Sequence, residues 1–215
     1  MNCCQCQGIE TIFDKKNAKK DLKRYHNNGP TKTTSLMINT FQKMGVEGFT
    51  LLDIGGGIGV IQNELFNSGI KSSITIEASE AYIEISKSLA QQRNILDQVN
   101  YIHGDFVDLA ASTPMTDIVT LDRVICCYHN MEDLVQLSSE KATKYYGLVY
   151  PRDSLLMKIL FPLLNLYPII RGNPFRAFIH ATRAVDEIIR KNGLKIYFHR
   201  KTALWQVFVY ERVTA

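Results

Sequence analysis

The chain has 215 residues, 46% of them hydrophobic and 21% charged, with a formal net charge of +4, the profile of one globular domain with a full core. So mild a charge does not imply a nucleic-acid partner, and no run approaches the ~20 apolar residues of a membrane helix. The opening residues Met1-Asn2-Cys3-Cys4-Gln5 lack the charged and apolar regions of a signal peptide, so the expected location is cytoplasmic, without integral membrane contact.

The chain begins with Cys3, Cys4 and Cys6, and a second group, Cys126-Cys127, lies in the middle. An odd count with adjacent members is not a secreted disulfide framework. No Cys-x-x-Cys or His pair completes a soft-metal site at conventional spacing, so no metal is expected and the first group reads as a thiol-bearing terminus. Gln7 to Asn28 is polar and Lys-rich, with Ile9, Ile12, Phe13, Leu22 and Tyr25 spaced as one or two amphipathic helices. Its lysines read as a solvated face. Asn27-Asn28-Gly29-Pro30 stops this stretch, and a further helix is predicted from Thr31 to Met44, closed by Gly45.

An alternation of strands and helices follows. Strands are predicted at Phe49 to Ile54, Ser73 to Ile76, Val99 to His103, Asp117 to Leu121 and Tyr146 to Tyr150. Helical spacing falls at Val60 to Asn67, Ala81 to Arg93 and Met131 to Lys144. Such alternation means an α/β, doubly wound, mostly parallel sheet. At the end, Leu194 to His199 and Leu204 to Glu211 are β-rich and joined by only Arg200-Lys201-Thr202-Ala203. So short a link permits only an antiparallel hairpin.

The sharpest motif is Leu52-Asp53-Ile54-Gly55-Gly56-Gly57-Ile58-Gly59, which ends a strand and opens a helix. Glycines there let a ligand approach the main chain closely. A dinucleotide pattern wants Gly-x-Gly-x-x-Gly, but its third glycine position holds Val60. Asp53, before the loop, suits a cationic ligand better than a pyrophosphate by charge sign.

With these residues the sequence resembles the class I S-adenosylmethionine-dependent methyltransferases, whose first motif is an acid followed by Gly-x-Gly-x-Gly. The resemblance runs on in order. It makes Glu77 in Thr75-Ile76-Glu77-Ala78 the acid holding the ribose hydroxyls, with Ala78 beside it, and Gly104-Asp105-Phe106 the segment that recognises adenine. Asp122 and Arg123, ending the fourth strand, match the motif beside the methyl group. The C-terminal antiparallel hairpin is also this family's sheet ending, so a seven-stranded sheet is implied. The implied cofactor is S-adenosylmethionine, leaving as S-adenosylhomocysteine, held by Asp53, Gly55, Gly56, Gly57, Gly59, Glu77, Ala78, Asp105, Phe106, Asp122 and Arg123. A non-catalytic S-adenosylmethionine-binding module and an NAD-dependent oxidoreductase are the alternatives.

On the substrate side, Asp122 to Asp133 contains none of the Pro-Pro-aromatic pattern typical of methyltransferases acting on exocyclic base amines, which argues against a nucleic-acid substrate. His129 is the candidate general base for a hydroxyl or carboxyl acceptor; otherwise it caps the following helix or faces solvent. Tyr128 is the second catalytic candidate, helping by shape alone, and Cys126 and Cys127 read as small core residues. Ser154 to Ile170 is strongly apolar, with Lys158, Pro162, Asn165 and Pro168 ruling out a spanning helix. This Pro-broken segment would line an acceptor pocket, touch a membrane surface or pack on the sheet. Arg152, Arg171 and Arg176 are candidate partners for a substrate carboxylate. Residues 1–45 would form a helical lid with Tyr25 and Thr33 on the cofactor side. Residues 46–150 would be the cofactor-binding core, 151–180 the apolar substrate cap, and 181–215 the last helix and hairpin. The expected partner is a small, apolar or aromatic methyl acceptor, and the oligomeric state is not encoded in any motif.

Overall fold

The computed structural model describes residues 4–213, with the side chains of residues 4–7 left out of account, so Cys3, and the side chains of Cys4 and Cys6, lie outside the described residues. Seven strands form one sheet: β1 (Thr50–Ile54), β2 (Ser72–Glu77), β3 (Val99–His103), β4 (Thr116–Asp122), β5 (Ala142–Pro151), β6 (Leu194–Lys201) and β7 (Trp205–Arg212). Their order is β3-β2-β1-β4-β5-β7-β6. The first five run parallel, and β7 lies antiparallel between β5 and β6. The α/β, mostly parallel reading of the sequence, with its antiparallel ending, therefore holds.

The sequence order reverses between β1 and β4, and at such a switch point the crossovers diverge and leave a crevice at the carboxyl strand ends. The glycine loop follows β1 and Asp122 ends β4, so both motifs open into that crevice. Helices α1 (Cys4–Ile12), α2 (Lys15–Asn28) and α3 (Lys32–Met44) precede the sheet. The threonine that begins the predicted third helix is its cap: Thr31 is extended and its hydroxyl accepts from the Thr34 amide. Helix α3 and helix α4 (Val60–Phe66) cover one face, burying Met37, Phe41, Ile61 and Leu65 against Leu51, Ile118 and Val209.

Helix α5 (Glu80–Gln92) stacks on α2 through Tyr82, Leu89, Ala18 and Tyr25. On the opposite face lie the one-turn helix α6 (Phe106–Leu109), α7 (Met131–Glu140) and α9 (Thr182–Lys191), which bury Phe106, Leu134, Val135, Val185 and Ile189 against Leu52, Val119 and Leu148. Strands enclosed on both faces explain the near-continuous apolar text of β1 and β4.

Two expectations need correction. Helix α7 ends at Glu140, and Ala142 to Lys144, predicted as helix, already belong to β5. Ala142 is fully buried and pairs with Thr116, so sheet pairing overrides the weak helical spacing. The segment predicted as Pro-broken is one continuous helix, α8 (Leu155–Ile170), with Pro162 and Pro168 inside it. Each interior proline costs about 3 kcal/mol in an isolated helix. Tertiary contacts override that cost: Met157, Phe161 and Pro168 are buried, and the Asn165 side chain bonds both N–H and C=O of Ala177 at 2.8 Å. No helix among the described residues is long and apolar enough to cross a membrane.

Candidate functional site

The crevice is a cavity of about 390 Å³. Its floor is the strand-end loops, and its far wall comes from α1, α2 and the turn into α3, through Phe13, Asp21, Arg24, Tyr25, Thr31 and Thr34.

The glycine loop supplies one rim. Gly57 has φ +58, a left-handed conformation costly for residues with a Cβ, and its N–H donates to Glu77 Oε2 at 2.9 Å. Gly59 has φ +81, and a Cβ there would stand 2.4 Å from Ser86 Oγ. Gly55, Gly56 and Gly57 line the cavity; Gly59 does not, and instead caps α4 behind the loop.

Five carboxylates line the same space: Asp21 and Asp105, and the three on or beside the central strands, Asp53, Glu77 and Asp122. Asp53 is buried beneath the loop; its Oδ1 accepts from Thr120 Oγ1 at 2.7 Å, while Oδ2 has no hydrogen-bond partner. Burial raises its carboxyl to about 7 against that hydrogen bond, and the charges of Asp122 and Glu77 push the same way. Glu77 Oε1 accepts from the Ser79 N–H at 3.0 Å; burial raises this group, and the backbone donors oppose the shift. Asp122 Oδ2 accepts from Thr34 Oγ1 at 2.6 Å, and its Oδ1 is buried without a hydrogen bond. Burial raises it too, opposed by Arg123 and Thr34. Buried acceptors without donors are expensive unless something completes them, and a positively charged ligand in this cavity would do so.

Arg123 ties the start of α3 to the end of β4. It is a non-glycine residue at φ +64, an uncommon conformation in a residue lining a cavity. Its Nη2 donates to Thr31 Oγ1 and, at 2.9 Å, to Thr33 Oγ1. The guanidinium lies 5.0 Å from the ring centre of Trp205. Thr33, predicted on the cofactor side, thus sits behind Arg123 and does not line the cavity, whereas Thr31 and Thr34 do. Tyr25 does line it and donates to Glu64, with its phenol pushed up by burial.

Ala78, just after β2, and Asp105 and Phe106, just after β3, add to the lining. His103 Nε2 lies 3.0 Å from the Ala78 carbonyl. Asp105 Oδ1 accepts from the Val107 N–H at 2.9 Å, capping α6, and Oδ2 accepts from Tyr128 OH at 2.9 Å. Phe106 is buried in the core and also lines the cavity.

At the acceptor end only one of the two aromatic candidates reaches the cavity. Tyr128 lines the cavity; His129 is exposed and does not. Nor does His129 cap the next helix, a role taken by Asn130, whose side chain accepts from the Asp133 N–H. The two rings are stacked, with centroids 5.3 Å apart, and only Tyr128 reaches the cavity lining while His129 faces solvent.

Arg152, Arg171 and Arg176 also lie outside the lining. Arg152 donates to the Thr202 carbonyl, Arg176 to the carbonyls of Asn173 and Phe175, and Arg171 lies over Tyr167. The cationic residues of the cavity are Arg24 and Arg123 instead.

Cys126 and Cys127 line the cavity near Val124, Leu134 and Trp205. Their sulfurs are 3.9 Å apart, and the neighbouring thiol together with burial pushes the Cys126 thiol well up, away from a reactive thiolate.

Sequence reasoning missed Asp21, Arg24, Thr31, Thr34, Tyr82 and Trp205. Only Thr31 carried a local signal, as a helix start. The others reach the cavity through tertiary contacts such as Tyr82 OH to Asp21 at 2.8 Å.

Residues 52–140 match the methyltransferase domain family. No curated protein matches the chain in sequence. Among solved structures it is similar to magnesium protoporphyrin IX methyltransferase from Synechocystis PCC 6803. The form with bound S-adenosylhomocysteine matches at TM-score 0.70 and 18% identity, covering 85% of this chain and 83% of that one. The form with bound S-adenosylmethionine matches at TM-score 0.69 and 14% identity, covering 97% of each. An O-methyltransferase family protein from Burkholderia thailandensis matches at TM-score 0.66 and 12% identity, over 87% of this chain and 58% of that one.

Proposed function

We propose that this chain, which has the class I methyltransferase fold and matches the methyltransferase domain family over residues 52–140, transfers a methyl group from S-adenosylmethionine to an O or N nucleophile of a small, partly apolar molecule. The observation that carries the reading is the pair of buried carboxylate oxygens without a hydrogen bond, Asp53 Oδ2 and Asp122 Oδ1, the latter 3.8 Å from Arg123 Nε, in a cavity lined by five acids. S-adenosylmethionine fits that donor-poor setting because it carries a sulfonium and an ammonium group, and when bound it supplies an activated methyl group.

Asp53 and Asp122 would hold the cationic end of the cofactor. Glu77 uses one lone pair on each oxygen for the Gly57 and Ser79 amides, so a second lone pair on each is left for two ribose hydroxyls. Gly55, Gly56 and Gly57 would allow close approach of the main chain, and Asp105 and Phe106 would meet the adenine, with Ala78 alongside. Val124, Cys126, Cys127, Leu134 and Trp205 give the rest of the cavity an apolar wall suited to a partly apolar acceptor. Arg24 and Arg123 offer a carboxylate-bearing acceptor two cations in the same space. The lid and the apolar wall exclude water and hold the nucleophile in line, the main requirement when the methyl group is already activated. Tyr128 shapes this end of the cavity, and no residue there need act as a strong base.

The test is release of S-adenosylhomocysteine with a panel of aromatic and carboxylated acceptors. Turnover with any of them supports a methyltransferase. Tight binding of S-adenosylmethionine without turnover across the panel would favour a non-catalytic binding module.

A further inference from the structure

Helix α8 presents its surface in an unusual way. Nine large apolar side chains on it, Leu155 through Ile170, are between 48% and 82% exposed. Only a narrow inner stripe is buried: Met157, Phe161 and Pro168. Soluble surfaces scatter single apolar residues, but a continuous apolar helix face marks a contact surface.

Apart from Asp153 at its start, the charges along this face are positive. Between Asp153 and Asp186 the sequence has no acidic residue, while Lys158 lies on the helix and Arg171 and Arg176 follow it. Lys158 and Arg171 are exposed, and Arg171 lies 5.2 Å from the ring centre of Tyr167, itself exposed. Asp153, at the start of the helix, is engaged by the Thr182 N–H. A second copy packed symmetrically on this face would bring like charges together, whereas an anionic surface would meet its complement.

The length decides how such a surface would be met. Sixteen residues rise about 24 Å, short of the ~30 Å hydrocarbon core of a bilayer. We propose that α8 is a membrane-surface anchor, lying in the interface of an anionic bilayer with Leu163, Leu166, Tyr167 and Ile170 in the apolar zone and Lys158 and Arg171 at the phosphates. The inner face of the same helix packs with Cys126, Cys127 and Trp205, which line the cavity, so the anchor backs residues of the site without lining it. The proposal is independent of which group the enzyme transfers.

Co-sedimentation of the full chain with phosphatidylglycerol–phosphatidylcholine vesicles, against pure phosphatidylcholine, tests it. The chain should partition onto the anionic vesicles, with weaker binding to the neutral ones and at high salt. Substituting Ile159→Gln, Leu163→Gln and Leu166→Gln together should cut partitioning by about tenfold or more with an unchanged melting temperature, since all three side chains are exposed. Lys158→Glu with Arg171→Glu should remove the preference for anionic lipid, and this pair tests the idea even if the triple variant folds poorly. No binding to anionic vesicles, or equal binding by folded variants of both kinds, would overturn the proposal. So would a dimer in solution that the triple substitution dissociates, because a second copy would then be what covers α8.

Discussion

Replacing Asp53 by asparagine separates what a buried carboxylate costs the fold from what it offers a ligand. In the folded chain the Asp53 carboxyl is raised from its ordinary 3.8 to about 7, chiefly by burial. Between those values the folded chain keeps a proton that the unfolded chain has lost, so stability falls as pH rises and levels off above about 7. Three pH units correspond to ~4 kcal/mol as an upper bound. Asp53→Asn keeps an oxygen for the Thr120 hydroxyl but puts an N–H₂ where Oδ2 has no partner, a cost of about 1–3 kcal/mol. The variant should therefore be about 1–3 kcal/mol more stable than the parent near pH 8, with a shallower slope between about pH 5 and 7. Some slope should remain, because Glu77 and Asp122 are raised as well. The same substitution should weaken S-adenosylmethionine binding by about tenfold or more, since a cation loses its charged partner. Urea denaturation at several pH values, paired with calorimetric titration, reads both. An unchanged pH slope together with undiminished affinity would refute the assignment of Asp53 as the buried, ligand-facing acid.

Glu77→Ala should cost roughly 2–4 kcal/mol of cofactor affinity if both ribose hydrogen bonds go, about 30- to 1,000-fold in Kd, with unchanged binding as the contrary result. Gly59→Ala meets both a left-handed backbone and Ser86 Oγ at 2.4 Å, so the midpoint of urea unfolding should drop by the equivalent of about 1–3 kcal/mol. His129→Ala should leave turnover within about twofold of the parent, because the side chain is exposed and outside the cavity. Affinity for S-adenosylmethionine should rise with pH up to about 7 and then flatten, with proton release on binding in the lower range, as binding a cation drives Asp53 to its charged form. Titrations in buffers of different ionisation enthalpy would detect that proton.

Much of the frame is legible in the sequence because its signals are local. The third strand begins at Val99 and ends at His103, as its apolar text and the following Gly104 imply. The glycine loop reports its own turn, and the short link after His199 forces the hairpin. The lid side of the cavity is not legible in that way. Thr34 meets Asp122 across 88 residues, and Arg123 meets Thr31 across 92. No periodicity encodes a contact of that range. The prolines of α8 mislead for a related reason: their penalty is local, while the burial of Met157 and Phe161 and the Asn165 clasp on Ala177 are tertiary. His129 stands next to Tyr128 and its ring stacks on the tyrosine at 5.3 Å, yet only Tyr128 lines the cavity, a distinction no local pattern encodes.

The most direct measurement of the central claim is parallel calorimetric titration of the purified chain with S-adenosylmethionine, S-adenosylhomocysteine and NAD. The arrangement of Asp53, Glu77 and Asp122 around the cavity predicts micromolar binding of the first two and none of the third. Binding of NAD alone, or of none of the three, would contradict it.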